Sequence, residues 1–230
     1  MFGVLRDAKS NLLMKDIAIF GAGGFGREVA CLIANINEHI DDDGQCWNLI
    51  GFFDDVKDKG FKTEYGKVIG GTRDLNEWQT PLALVIAIGS QGAAKAISGK
   101  ISNPNVYFPN IIAPNVFFFD RKSVVMGKGN IITFSCRVSC NIHIGDFNVL
   151  NGGVSLGHDV VIGNYNVLFP ETRLSGNVCV GNENFFGART FVSQSLTIGN
   201  HTRIGAGSII LRNTKDNLLY MGNPAKKVEI

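Results

Sequence analysis

From Met126 onward an apolar residue stands at every sixth position: Ile132, Val138, Ile144, Leu150, Leu156, Ile162, Leu168, Leu174, Val180, Phe186, Val192, Ile198, Ile204 and Ile210. All fifteen sites are apolar in a chain that is 45% hydrophobic. A random draw gives that with odds of roughly one in 10^5, so the pattern is a repeat. Neither an α-helix nor an ordinary hairpin strand has this period. A short strand followed by a corner does. Three such sides close a coil of about eighteen residues, and the hexads stack into about five coils around one aliphatic column. The residue after the apolar site is Gly in eight of the fifteen hexads (Gly127, Gly145, Gly157, Gly163, Gly181, Gly187, Gly199, Gly205). That Gly, or Asn151 in one hexad, is expected to take the corner angles that a branched Cβ resists. Four places after the apolar site the residue is usually small or β-branched, as at Val154, Val160, Thr172, Val178, Thr190, Thr202 and Ser208, which leaves room for the column.

Before the repeat the pattern is that of strands alternating with helices. Residues 15–20 read as a short apolar strand, Gly21-Ala22-Gly23-Gly24-Phe25-Gly26 as a glycine turn, and residues 27–34 as a helix. This is the opening of a Rossmann-like unit, where backbone N–H groups approach a phosphate at the positive end of a helix. The alternative is a tight turn without a ligand. A second strand, residues 47–53, ends in Asp54-Asp55. A carboxylate there suits a ribose or a base; the alternative is a residue that caps the next turn. Lys67 to Gly71 leads into a strand-to-helix turn at Thr72 to Leu75, residues 83–89 suit a strand buried on both faces, and Gln91 to Lys100 reads as a helix. The Asn103-Pro104-Asn105 turn is expected to close this part. The expected organisation is a leader over 1–14, an α/β Rossmann-like nucleotide- or sugar-binding domain over 15–105, an all-β parallel β-helix over 106–213 and a tail over 214–230. The first domain has room for one mononucleotide half, and Asp54 lies 28 residues after Gly26, both of which argue against NAD.

Composition excludes more than it selects. A net charge of +2 over 230 residues speaks against nucleic-acid binding by bulk electrostatics. The five cysteines lack a CxxC pair and read as free thiols. Cys136 and Cys140 have no partners at a usual metal spacing, and Asp41-Asp42-Asp43-Gly44 reads as a solvated loop, so no metal site is expected. No apolar run is long enough to span a membrane, and cytoplasmic is the expected location. Among the histidines, His158 lies two places after Leu156, off the buried column and beside Asp159. An outward imidazole held by a carboxylate can act as a general base. Adjacent residues on a strand point apart, so the pairing needs a corner conformation at that point.

The motifs Ile19-Phe20-Gly21-Ala22-Gly23-Gly24-Phe25-Gly26-Arg27-Glu28-Val29, Gly51-Phe52-Phe53-Asp54-Asp55, Ala87-Ile88-Gly89, Leu150-Asn151, Gly157-His158-Asp159-Val160-Val161-Ile162-Gly163, Ser175-Gly176-Asn177-Val178 and Gly222-Asn223-Pro224-Ala225-Lys226 carry a resemblance. The chain resembles the hexapeptide-repeat family of sialic-acid O-acetyltransferases and bacillosamine-pathway N-acetyltransferases (NeuD/PglD-like) across residues 15–230. The resemblance implies a left-handed β-helix, a homotrimer, and direct transfer from acetyl-CoA, without a metal, to an amine or hydroxyl of a sugar or nucleotide-linked sugar. It implies His158 as base, Asp159 as its support, and Asn151 and Gly176 in the same acetyl-CoA site. Gly23, Gly24 and Asp54 would hold the nucleotide part of the acceptor, with Phe25, Asp55 and Gly70 beside them. Two positions depart from the nucleotide-sugar members: Phe25 replaces a turn histidine, and Val167 replaces a second histidine on the CoA side. Arg189, Arg203, Arg212, Lys226 and Lys227 are candidates for CoA phosphates or plain surface charges. A non-catalytic nucleotide-sugar-binding solenoid and a nicotinamide-binding oxidoreductase are the alternatives.

Overall fold

The computed structural model describes residues 14–39 and 46–229. The leader before Met14 and the loop at Asp41 to Asp43 fall outside the described residues. Two compact units are present: one runs to Ala87 and includes Ile101–Tyr107, and the other comprises Ile88–Lys100 and Phe108 onward.

The first unit is an α/β sheet. Its elements are β1 (Lys15–Phe20), α1 (Gly24–Glu38), β2 (Trp47–Phe53), β3 (Lys62–Thr63), β4 (Gly66–Gly70), α2 (Thr72–Asn76), β5 (Leu82–Ile86) and β6 (Val106–Tyr107). The strand order is β3-β4-β2-β1-β5-β6, parallel except for the β3–β4 hairpin. Every residue of β5 is buried, as its unbroken apolar run requires. α1 buries Gly26, Val29, Ala30 and Ile33, one helical stripe, against the sheet. Gly26 is there for closeness: a Cβ would strike the Gly21 carbonyl, so only glycine lets the helix start so near the strand. β2 and β5 flank β1 on opposite sides, so the glycine turn after β1 sits where the winding of the sheet reverses.

The second unit is a left-handed parallel β-helix. Its strands fall into three sheets, and each pairs with the strand one coil on, as in Ile131↔Val149, Arg137↔Ser155 and His143↔Val161. Fourteen of the fifteen aliphatic sites are buried, and Met126 packs against them from the open end. The small column is fully buried as well. The helix α3 (Gln91–Lys100) belongs to this unit. Lys95 Nζ reaches Glu183 at 2.6 Å, Gln91 Nε2 donates to the Asn184 carbonyl at 3.2 Å, and the Ser98 hydroxyl meets Tyr165 Oη at 2.9 Å. After the last hexad, Leu219–Gly222 pairs with Arg203–Ile204 and then turns back on Ala225–Val228, so the region read as a tail extends the first sheet by two strands.

The corner angles differ from the expectation. Positive φ falls three places after the aliphatic residue, at Ser135, Asn141, Phe147, Asp159, Tyr165, Glu171, Asn177, Glu183, Arg189, Ser195 and His201, with Gly129, Gly153 and Gly207 in the same series. The recurring glycine one place after the aliphatic residue has another cause. A Cβ on Gly163 would lie 2.6 Å from the Gly181 carbonyl oxygen, and one on Gly157 would lie 2.6 Å from the Gly176 nitrogen. The next coil passes too close for a side chain.

One corner in three carries a buried asparagine that the hydrophobic pattern does not reveal. Asn130, Asn148, Asn166 and Asn184 are 0% exposed and stack one per coil. The side-chain carbonyls of Asn130, Asn148 and Asn166 accept from the backbone and side-chain N–H groups of the next asparagine, as at Asn166 N to Asn148 Oδ1, 2.8 Å, and that of Asn184 accepts from Thr202 N. The amides of Asn130, Asn148 and Asn166 also donate across to the carbonyls of Gly145, Gly163 and Gly181, as at Asn166 Nδ2 to Gly181 O, 2.9 Å. The ladder satisfies backbone groups that the prism removes from water.

Candidate active site

His158 stands on the corner between the second and third sheets. Asp159, the next residue, takes φ 59°, and that left-handed turn swings its carboxylate back to the imidazole. The two meet at 2.7 Å, His158 Nδ1 to Asp159 Oδ2. The corner conformation that the pairing needs is therefore present. Asn141, one coil earlier, donates to Asp159 Oδ1 at 3.1 Å. The hydrogen bonds from His158 and from Asn141 hold the Asp159 carboxyl below the usual carboxylate range. With a carboxylate on Nδ1 the ring proton sits there, and Nε2 keeps a free lone pair. The His158 side chain is 64% exposed.

Gly176 lies one coil beyond His158, directly against the free side of the ring. A Cβ there would stand 2.5 Å from Nε2. Asn177 N donates to the His158 carbonyl at 2.8 Å, which ties the two coils together. The structure thus gathers His158, Asp159, Asn141 and Gly176. Asn141 was not singled out from the sequence, although its eighteen-residue offset from Asp159 marks it as a stacking neighbour. Asn151 and Val167 lie elsewhere on the prism. Asn151 occupies the corner that precedes Ser155, and Val167 is 6% exposed on the first sheet. No hydrogen bond joins Asn151 to His158 among the described residues. His39 ends α1, His143 lies on the third sheet, and His201 approaches Glu183 at 3.7 Å. No group of residues suited to hold a metal ion occurs among the described residues. Burial pushes the Cys136 thiol up to about 11.

The acceptor-side residues converge at the carboxyl ends of β1, β2 and β4. Asp54 ties the turns together: Oδ2 accepts from Ala22 N at 2.9 Å, and Oδ1 accepts from Val56 N at 2.9 Å and Lys57 N at 3.0 Å. Partial burial pushes this carboxyl up, but those N–H donors and the Lys57 charge outweigh it and hold it low. Asp54 caps the turn that follows it, as in the second reading of that residue. Asp55 accepts from Thr72 N and Oγ1, both at 2.7 Å, and so anchors the start of α2. A Cβ on Gly70 would meet the Asp74 side chain at 2.5 Å. Gly23 and Gly24 face open space. They line a cleft of about 450 Å³ with Arg27, Lys57, Phe61 and Lys62. Phe25 is half-buried and does not line it. Lys57 Nζ donates to the Ala22 carbonyl at 2.7 Å and sits 4.1 Å over the Phe61 ring. Lys57, Lys62 and the aromatic wall of Phe61 come from the segment between β2 and β4, where the sequence carried no periodic signal, and Arg27 comes from α1.

No helix of the described residues is long and apolar enough to cross a membrane. Residues 16–101 match the PglD N-terminal domain family. No curated protein matches the chain. Among solved structures, the acetyltransferase domain of PglB from Neisseria gonorrhoeae in complex with acetyl coenzyme A is 26% identical, with a TM-score of 0.82 over 94% of this chain and 100% of that one. PerB from Caulobacter crescentus in complex with CoA and GDP-perosamine is 25% identical, with a TM-score of 0.80 over 96% and 100%. WeeI from Acinetobacter baumannii, 23% identical over 94% and 100% at a TM-score of 0.81, shares the fold. The first unit is thus matched by the PglD N-terminal domain, and nearly the whole chain is similar to the acetyltransferase domain of PglB and to PerB.

Proposed function

We propose that the chain transfers the acetyl group of acetyl-CoA directly to an amine or hydroxyl of a nucleotide-linked sugar, with His158 as general base. The observation that carries the reading is the His158–Asp159 pair, with Nε2 free and turned to the gap at Gly176. Nε2 takes the proton of the acceptor N–H or O–H as that atom attacks the thioester carbonyl. The new C–N or C–O bond forms, the C–S bond breaks, and the imidazolium returns its proton to the leaving thiolate. Asp159, held ionised, stabilises the charged ring. The Gly176 N–H, which has no acceptor among the described residues, is suited to the carbonyl oxygen as it gains charge. No enzyme nucleophile is used, and the high pKa of Cys136 is consistent with that.

For the acceptor, the cleft of the first unit supplies what Phe25 lacks. The uncapped start of the 15-residue α1, with no acidic residue in its first turn, presents N–H groups beside Arg27, Lys57 and Lys62. That combination suits a nucleoside diphosphate group. Arg189 is paired with Glu171 at 2.7 Å, and the Arg203 guanidinium lies 5.1 Å over the Phe185 ring. A homotrimer, with the donor between neighbouring prisms, completes the proposal.

An acceptor screen with acetyl-CoA and detection of released thiol tests the reaction. His158→Ala should lower kcat by about 10^2 to 10^4 with the oligomer intact. Full activity in that variant retires the base, and a monomer in sedimentation at micromolar concentration retires the shared donor site.

A further inference from the structure

Along the corner that carries His158, residues one coil apart form a polar column. The register of the third sheet sets Ser123 beside Asn141, Asn141 beside Asp159 and Asp159 beside Asn177. These side chains do not all point the same way. Asn141 Nδ2 donates to Asp159 Oδ1 at 3.1 Å, whereas Asn177 Nδ2 turns away and donates to Ser195 Oγ at 3.2 Å. Asp159 is therefore bonded on both oxygens, by the imidazole on Oδ2 at 2.7 Å and by the amide on Oδ1, and neither donor comes from the following coil. Asn141 is itself fixed. Its φ is 56°, a left-handed corner that asparagine accepts, and its backbone N–H donates to Ser123 Oγ at 2.9 Å. The Ser123 hydroxyl donates in turn to the Asp120 carbonyl at 3.1 Å.

The amide matters because the pair it supports is open to water. The His158 and Asp159 side chains are 64% and 49% exposed, and one hydrogen bond between two such groups is a weak restraint on either. A carboxylate held by one oxygen still swivels about Cβ–Cγ. Held by both, it has a fixed plane and keeps one oxygen aimed at Nδ1, and the ring tautomer with its proton on Nδ1 is the one that completes that bond. The other titratable and charged groups along the corner are the Cys140 thiol, one coil before His158, and Lys122, two coils before. Neither forms an ion pair with Asp159 among the described residues, and the following coil brings only the neutral Gly176 and Asn177. The Asp159 carboxyl lies below the usual range through its bond to His158 first and its bond to Asn141 second, so the amide helps to keep it ionised beside the ring.

We propose that Asn141 is a positioning residue for the transfer, which rests on His158 being the base: acting through Asp159, it holds the imidazole in the tautomer and orientation that present Nε2 to the acceptor. The amide acts at one remove, on the carboxylate alone, and the proton still passes to Nε2.

The test compares Asn141→Gly and Asn141→Asp in the full chain. Glycine takes a φ of 56° without strain, so the first variant removes the amide and keeps the corner. Aspartate keeps the shape and replaces the donor by a second carboxylate. Melting temperature checks that both fold. Nitrogen-15 spectra of the histidine-labelled chain read the ring directly, with His158 assigned among the four histidines by its loss in His158→Ala. In the wild type the neutral ring should carry its proton on Nδ1. Asn141→Gly should return it toward the mixture of free imidazole, in which the Nε2–H form predominates. Asn141→Asp should raise the ring pKa, because added negative charge favours the imidazolium. In thiol-release kinetics, Asn141→Gly should lower kcat about 10- to 100-fold, the scale on which an outer hydrogen-bond partner of a functional histidine acts. The KM for acetyl-CoA should stay unmoved, and the loss should vanish once Asp159 is alanine. The acid limb of kcat/KM in Asn141→Asp should move to higher pH together with the ring pKa. A wild-type chain without transferase activity removes the reading of His158 as base but leaves the nitrogen spectra to decide whether Asn141 sets the ring. An unchanged tautomer in Asn141→Gly overturns the proposal whatever the activity. So does an unchanged kcat where the wild type is active, or a loss of kcat that persists in full in the Asp159→Ala background.

Discussion

Gly176→Ala isolates the position of the imidazole from its chemistry. The φ of Gly176 is outside the left-handed region, so alanine suits the backbone. The added Cβ would stand 2.5 Å from Nε2 and 2.6 Å from Cε1 of His158. Carbon contacts are comfortable from about 3.5 Å, so the ring must withdraw by about 1 Å. It can do so into solvent, since the side chain is 64% exposed, and the loss of stability should stay within about 1 kcal/mol. Withdrawal strains the 2.7 Å bond to Asp159 and carries Nε2 off the line of proton transfer. A displacement of that size costs on the order of 10^2 in rate, or about 2.7 kcal/mol of transition-state stabilisation. The assay is steady-state thiol release by the wild type, both single variants and the double variant with His158→Ala. The Gly176→Ala effect should fall on kcat and vanish once His158 is gone. Unchanged kcat in Gly176→Ala, or a full additive loss in the double variant, refutes the idea that this glycine acts by leaving room for the ring.

Three further predictions follow from the same geometry. Asn166→Ala leaves the Asn184 backbone N–H and the Gly181 carbonyl without their partner in a dry column; at about 1–3 kcal/mol for each orphaned group, urea denaturation should show a loss of about 2–6 kcal/mol, and a loss under about 1 kcal/mol would mean that the ladder adds little. Asp54 has a lowered pKa in the fold, so its contribution is complete above the unfolded value of about 3.9 and is lost as pH falls through the folded value. Asp54→Asn should therefore flatten the acid limb of thermal stability below about pH 4, and melting curves with the wild-type pH dependence would contradict the assignment. Lys57→Ala should raise the KM for a nucleotide-linked acceptor about ten-fold, the scale of one lost charge-assisted contact, with the KM for acetyl-CoA unmoved; an equal rise in both would point to general disruption of the unit.

By itself the sequence determined the prism, its register and its core. Those rest on one short-range rule: every sixth side chain leaves water, and burial enforces the rule wherever the chain is read. It also placed His158 off the buried column and the glycine turn at the end of a buried strand. What depends on stacking came only with the tertiary structure. The glycine after each aliphatic residue answers to a backbone one coil away, and the left-handed corner falls two places later, on residues as bulky as Phe147 and Tyr165. The asparagine ladder and the Asn141–Asp159 bond join side chains a coil apart, and no local pattern couples them. Asp54 shows the same limit. Its place at a strand end was legible, but only the folded turns reveal that three backbone N–H groups already occupy its carboxylate, while Lys57 and Arg27 face the open cleft.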